Sequence, residues 1–193
     1  SSIRFDDVHF PRTSLISVEN THNMCSGTPL SIGYLADVAS LATKYNLPVH
    51  MDGARIFNAS VATDIAVDKI ASKVSSLMFC LSKGLSSPVG SVLCGSKKFI
   101  YEARRIRKAL GGGMRQAGII AASGIVSLDT MIAQIKDDHE NAKNLANALS
   151  QIDCIELSPD DVQTNIIYFT VLGSSLSDTQ IISRMADEGI KFF

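Results

Sequence analysis

The chain has 193 residues, 46% of them hydrophobic and 19% charged, with a formal net charge of −1. That is the composition of a globular chain long enough to close one sizeable core. The near-neutral balance offers no electrostatic footprint for nucleic acid or an anionic membrane, so neither is expected as a partner. No apolar run approaches the length of a membrane span, and the opening SSIRFDDVHF does not read as a secretion signal. The four cysteines, Cys25, Cys80, Cys94 and Cys154, are scattered with no CxxC and no histidine at ligand spacing. No metal site is expected, and free thiols in a reducing compartment point to a cytoplasmic protein.

Taken in chain order, strand and helix signals alternate. SLISVENT is a short apolar run that turns polar at Glu19–Asn20, as a strand emerging from a core does. Ser31 is a candidate N-cap for a helix reaching Tyr45, with Ile32, Leu35, Val38, Ala39 and Leu41–Ala42 on one face. LPVHMD is a strand that finishes at an acid. AVDKIASKV, a short helix, leads to the strand SLMFCL and so to Lys83. GSVLCG is a further strand, followed by the helix SKKFIYEARRIRKAL and the glycine run Gly111–Gly113, a helix stop by its tolerance of left-handed geometry.

From about Arg115 to Ser150 apolar residues recur at spacings of three and four: Ile125, Leu128, Ile132, Ile135, Ala142, Leu145 and Leu149. This periodicity predicts one long helix, with His139 on its packed stripe. TNIIYFTV then reads as a strand, and SDTQIISRMADEGI as a helix capped by Ser177. A domain boundary is expected near Ala148, dividing the chain into 1–148 and 149–193. Strands alternating with helices, and too apolar for one wet face, predict an α/β fold with a mainly parallel sheet covered on both sides.

In such sheets functional groups gather at the carboxyl ends of the strands. Three polar clusters fall there: Glu19–Asn20–Thr21–His22, Asp52–Gly53–Ala54–Arg55 and Ser82–Lys83–Gly84. A lysine ending an apolar strand is open to desolvation, which would make its amine nucleophilic toward an aldehyde. A carbonyl cofactor such as pyridoxal phosphate also needs an acid at its ring nitrogen, which Asp52 can supply, and a cation near its phenolic oxygen, which Arg55 can supply. The bland reading of each residue alone is a turn acid, an exposed lysine and a solvated arginine. His50, on the buried strand before the acid, is expected to face away from it and to be structural, and His22 to be a hydrogen-bonded structural residue.

HMDGARIFNAS, CLSKGLSSPVGSVLCGS, RKALGGGMRQAG and VHFPRTSLISVENTHN resemble, in order and spacing, the low-specificity threonine aldolases. That family contains pyridoxal-phosphate enzymes of the aspartate-aminotransferase fold. The resemblance implies a three-layer α/β/α large domain with a mixed, mainly parallel sheet, followed by the start of a small α+β domain. It implies that Lys83 carries pyridoxal 5′-phosphate, Asp52 faces the pyridine nitrogen and Arg55 lies near the cofactor oxygen and the substrate carboxylate. Lys108 and Arg115 match basic residues near the cofactor, and His9 a histidine near the substrate's side-chain oxygen. The implied reaction is retro-aldol cleavage of a β-hydroxy-α-amino acid, threonine or allo-threonine, to glycine and acetaldehyde, in a homodimer or homotetramer. Beta-elimination or racemisation in the same fold, and a truncated non-catalytic product, are the alternatives. By resemblance, a phosphate-binding loop would precede Ser1 and a carboxylate-clamping arginine would follow GIKFF.

Overall fold

The computed structural model describes residues 3–192; Ser1, Ser2 and Phe193, the outer ends of the two expected segments, lie outside the described residues. Strands β1 (Ile16–Glu19), β2 (Val49–Asp52) and β3 (Ser76–Cys80) lie side by side in parallel, and β4 (Ser91–Gly95) closes the sheet antiparallel to β3. This is the mixed, mainly parallel sheet of an α/β fold that the alternating pattern predicts. The register sets Glu19 opposite Asp52, and Asp52 opposite Met78, so three strand ends stand in one row.

Strand alternation sorts the side chains. Val49, Met51, Leu77 and Phe79 are buried on one face, while His50, Asp52, Ser76 and Met78 are only half-buried on the other. Two residues apart, His50 and Asp52 therefore share a face, which corrects the expectation that the histidine points away from the acid. His50 is held instead by a 2.8 Å hydrogen bond between its Nδ1 and Ser76 Oγ. The buried face joins Leu35, Ile56, Ala59, Ile70 and Ile135 in the main core. Each large side chain buried there contributes about 1.5–3 kcal/mol.

Helix α1 (Ile32–Lys44) begins at Ser31, whose Oγ accepts the Tyr34 N–H at 3.1 Å. Helix α2 (Ile56–Thr63) has no counterpart in the sequence reading, because IFNASVAT carries polar residues on opposite sides (Asn58 against Ser60 and Thr63) and shows no helical period. It forms where Ile56, Asn58 and Ala59 can be buried. Helix α3 (Val67–Ala71) precedes β3, and α4 (Lys97–Ala109) follows β4, capped by Ser96 and without a buried residue. Its charge is a solvated face. Gly111, at φ +86°, stops it, with Gly112 N–H donating to Arg107 O at 2.8 Å.

The single long helix expected over 115–150 is two: α5 (Gly118–Thr130) and α6 (Ile135–Leu149), bent by 71°. Apolar residues are needed on both sides of the corner, so the stripe continues in sequence although the axis does not. The bend carries Ile135 fully into the core. A 2.8 Å bond between Ser127 and Ser87 hydroxyls pins α5 to the loop after β3.

Beyond α6, β5 (Ile155–Glu156) pairs antiparallel with β6 (Thr170–Val171). Only the end of the strand expected over 164–171 enters this ladder. Its first residues make long-range bonds instead: Thr164 Oγ1 donates to Gly27 O at 3.0 Å, and Asn165 Oδ1 accepts from Asn58 Nδ2 at 3.2 Å. Helix α7 (Asp178–Asp187) opens with a capping box between Ser177 and Gln180. Among the described residues no single helix is long and apolar enough to cross a membrane.

Candidate active site

The site is built where the three parallel strands end. Past β2 the chain turns at once: Asp52 Oδ1 accepts the Ala54 N–H at 3.0 Å, and Ile56 N–H donates to Gly53 O at 2.8 Å to begin α2. Gly53 lies so close to β3 that its N–H reaches Met78 O at 2.9 Å. This turn leaves Asp52 half-buried at the carboxyl end of β2, its Oδ2 without a partner among the described residues. It also places Arg55 at the head of α2, where its Nη1 donates to the Asn23 side-chain carbonyl. Arg55 and Asn23 then form part of the wall of a cavity of about 660 Å³, whose other wall comes from residues 165–171 and α7.

Lys83 lies on the loop that follows β3, at the same end of the sheet as Asp52. The loop is anchored by Leu85, 2% exposed, and by Ser87, while Lys83 itself is exposed. The expected desolvated amine is thus not what the structure shows: the strand stops at Cys80, Leu81 is still packed in the core, and Ser82 and Lys83 swing outward before Leu85 returns to it.

His9, Lys108 and Arg115 are exposed on the N-terminal segment, the last turn of α4 and the stretch before α5. Among the described residues no hydrogen bond or ion pair joins them to Asp52, Arg55 or Lys83. The His9 backbone N–H is tied to Asp7 Oδ1 at 2.8 Å. Lys108 folds over the glycine run, where a Cβ at Gly113 would collide with its Cδ. The structure thus brings Asp52, Arg55 and Lys83 to one sheet end and leaves the other three at the surface.

The polar cluster Glu19–Asn20–Thr21–His22, expected at a strand end but given no cofactor role, crowds the same end. Asn20 and Thr21 are fully buried beyond β1, yet Asn20 Nδ2 and Thr21 Oγ1 have no partner among the described residues. His22 Nε2 faces Glu19 Oε2 at 3.4 Å, and its Nδ1 is also buried without a partner. The polar cluster at the end of SLISVENT was the visible signal. What it lacked was any sign of which atoms would remain unbonded.

This donor set fits the ring and carbonyl end of the expected cofactor. Asp52 offers an open carboxylate oxygen, Arg55 a cation with N–H groups to spare, Lys83 an accessible amine, and the neighbouring strand end unspent polar atoms.

The chain is 44% identical over 169 residues to the low specificity L-threonine aldolase of Escherichia coli K12, covering 88% of this chain and 49% of that protein. It is 41% identical over 182 residues to low-specificity L-threonine aldolase 1 of Arabidopsis thaliana, covering 94% of this chain and 51% of that one. The chain thus spans about half the length of these curated relatives. The fold superposes on a Listeria monocytogenes protein provisionally named L-allo-threonine aldolase with a TM-score of 0.81 at 19% identity, covering 94% of this chain and 50% of that one. The family model described as beta-eliminating lyase matches residues 1–171. On that match, which takes in the whole sheet and the Asp52, Arg55 and Lys83 positions, the chain belongs to the beta-eliminating lyase family.

Proposed function

We propose that this chain carries part of a pyridoxal-phosphate lyase that cleaves β-hydroxy-α-amino acids, L-threonine or L-allo-threonine, to glycine and acetaldehyde. The observation that carries the reading is the row of strand ends: Asp52 in register with Glu19 and Met78, its outer oxygen open, Arg55 one turn away and Lys83 on the next loop. The identity to proteins named threonine aldolases supports carbon–carbon cleavage over the elimination for which the family is named.

Pyridoxal phosphate, when bound, supplies an electron-accepting ring that takes up the pair left as the Cα–Cβ bond breaks. Asp52 would hold the proton on the ring nitrogen. Lys83 would bind the aldehyde carbon and release it to the substrate amine. Arg55 would orient the substrate carboxylate, and Lys108 and Arg115 are assigned to the anionic surroundings of the cofactor. His9 is assigned to take the β-hydroxyl proton, a role typically worth about 10²–10⁴-fold in rate. A cytoplasmic homodimer or homotetramer completes the reading. The exposed apolar side chains of α5, Ile119, Ile125 and Val126, support association with a further copy.

The test is borohydride reduction of the protein with pyridoxal phosphate, followed by peptide mapping. The pyridoxyl group should sit on Lys83, and the unreduced protein with pyridoxal phosphate should release glycine from the two threonine diastereomers. A label on another lysine, or none, removes the proposal.

A further inference from the structure

Asn58 lies on α2, one turn after Arg55, and is only 3% exposed. Its Nδ2 makes both of the amide's hydrogen bonds, to His139 Nε2 on α6 at 3.1 Å and to Asn165 Oδ1 at 3.2 Å. An amide nitrogen only donates, so these two bonds set the polarity of both partners. His139 Nε2 accepts, which puts the ring proton on Nδ1. Asn165 turns its carbonyl inward.

Asn165 is exposed and lines the same cavity as Arg55. With its oxygen held by Asn58, its free end is the Nδ2, which has no partner among the described residues and two N–H groups to give. Arg55, on the wall of the same cavity, offers the guanidinium N–H groups not used by Asn23. Together the two residues present donors to the cavity. Asp178 and Lys191 line the cavity too, and their opposite signs leave the preference to Arg55 and Asn165. We infer that Asn165 is a carboxylate-binding residue of this cavity, held with its amide nitrogen outward by Asn58 and His139 acting as positioning residues.

The inference rests on the amino-acid substrate proposed above, and it specifies which atoms read the α-carboxylate. Burial lowers the His139 pKa, which keeps the ring neutral and able to accept, although Asp138 opposes the shift. A neutral acceptor at one end of the relay thus secures a donor at the other. Donors paired to a carboxylate are the stronger class of hydrogen bond, so the polarity of one amide can decide between an acid and its amide analogue.

Binding of L-threonine and of L-threoninamide, which replaces the carboxylate by a neutral amide, tests the relay. Both are titrated by NMR into the protein and two variants. Wild type should prefer L-threonine, with the side-chain amide signals of Asn165 shifting on titration. Asn165→Asp should reduce the ratio of the two affinities by about tenfold or more. Asn58→Asp keeps the shape of the hub and replaces its donors with acceptors. Asn165 would then donate inward and show its carbonyl to the cavity, so that variant should lose L-threonine while retaining L-threoninamide. A purely structural role would weaken both ligands alike. An unchanged ratio in Asn165→Asp, or a wild type indifferent to the carboxylate, overturns the inference. Because no pyridoxal phosphate is used, these outcomes are independent of the Lys83 labelling that decides the proposed reaction.

Discussion

The amide of Gly53 donates to the carbonyl oxygen of Met78 at 2.9 Å, and a Cβ built on Gly53 would lie 2.9 Å from that same oxygen. The neighbour is the backbone of β3, held on its other side by β4, so it cannot yield as a flexible side chain would. Gly53→Ala should force β2 and β3 apart just where Asp52 leaves the sheet. Overpacking of this kind typically costs about 1–3 kcal/mol. Urea unfolding should show that loss, and the loss of Asp52 placement should also weaken pyridoxal phosphate binding. A variant as stable as wild type would mean that the close approach at Gly53 is not needed.

Lys83 is exposed, with its loop anchored by Leu85 and Ser87 rather than by the lysine itself. Lys83→Ala should therefore leave stability within about 0.5 kcal/mol, as surface substitutions usually do. The same variant should abolish borohydride-fixed pyridoxal phosphate. Retained labelling would assign the cofactor to another amine, and a large drop in stability would give Lys83 a structural role the geometry does not show.

The elements that could be read from the sequence are those in which one local rule dominates. Ser31 and Ser177 stand before amphipathic runs and do cap α1 and α7, and the apolar runs ending at Glu19, Asp52 and Cys80 are strands. The turn of chain between α5 and α6 was hidden because the apolar stripe needs the same residues whether the axis is straight or bent. Helix α2 was hidden because tertiary burial, not periodicity, selects it. At the site, Asp52, Arg55 and Lys83 announced themselves by charge at strand ends. Asn58 and Asn165 did not, since a neutral amide gains meaning only from a partner 107 residues away.

Ser87 and Ser127, 6% and 5% exposed, have hydroxyls that among the described residues bond only to each other, joining the loop that carries Lys83 to helix α5. Removing either hydroxyl strands the other in the interior. Ser87→Ala and Ser127→Ala should each cost about 1–3 kcal/mol, whereas the double substitution should cost clearly less than the sum. Thermal or urea unfolding of the four proteins closes the cycle. Strict additivity would show that the pair does not hold the loop to α5.

His139 should make stability fall in mild acid. Its neutral ring accepts from Asn58, and burial lowers its pKa against the opposing charge of Asp138. Asp138 is the charge that acts on the ring, and Lys136, Asp137, Glu140 and Lys143 share its helix, with Lys143 engaged by Pro159 O and Asp160. Arg55 heads α2, and Lys83 precedes Gly84, whose added Cβ would lie 3.9 Å from Asp138 Oδ2. The 164–169 segment brings only Tyr168. In the unfolded chain the ring takes a proton near its ordinary value of about 6.5. The folded protein resists until the pH is lower, so between these two values the unfolded state binds more protons and gains. The contribution is complete above the ordinary value, declines as pH falls through the interval, and levels off below the folded value. Melting temperatures between about pH 7 and pH 5 should therefore fall more steeply for wild type than for His139→Gln, which keeps an acceptor for Asn58 but has nothing to titrate. Parallel slopes would place the acid sensitivity on other groups and leave His139 without a hold on the amide it faces.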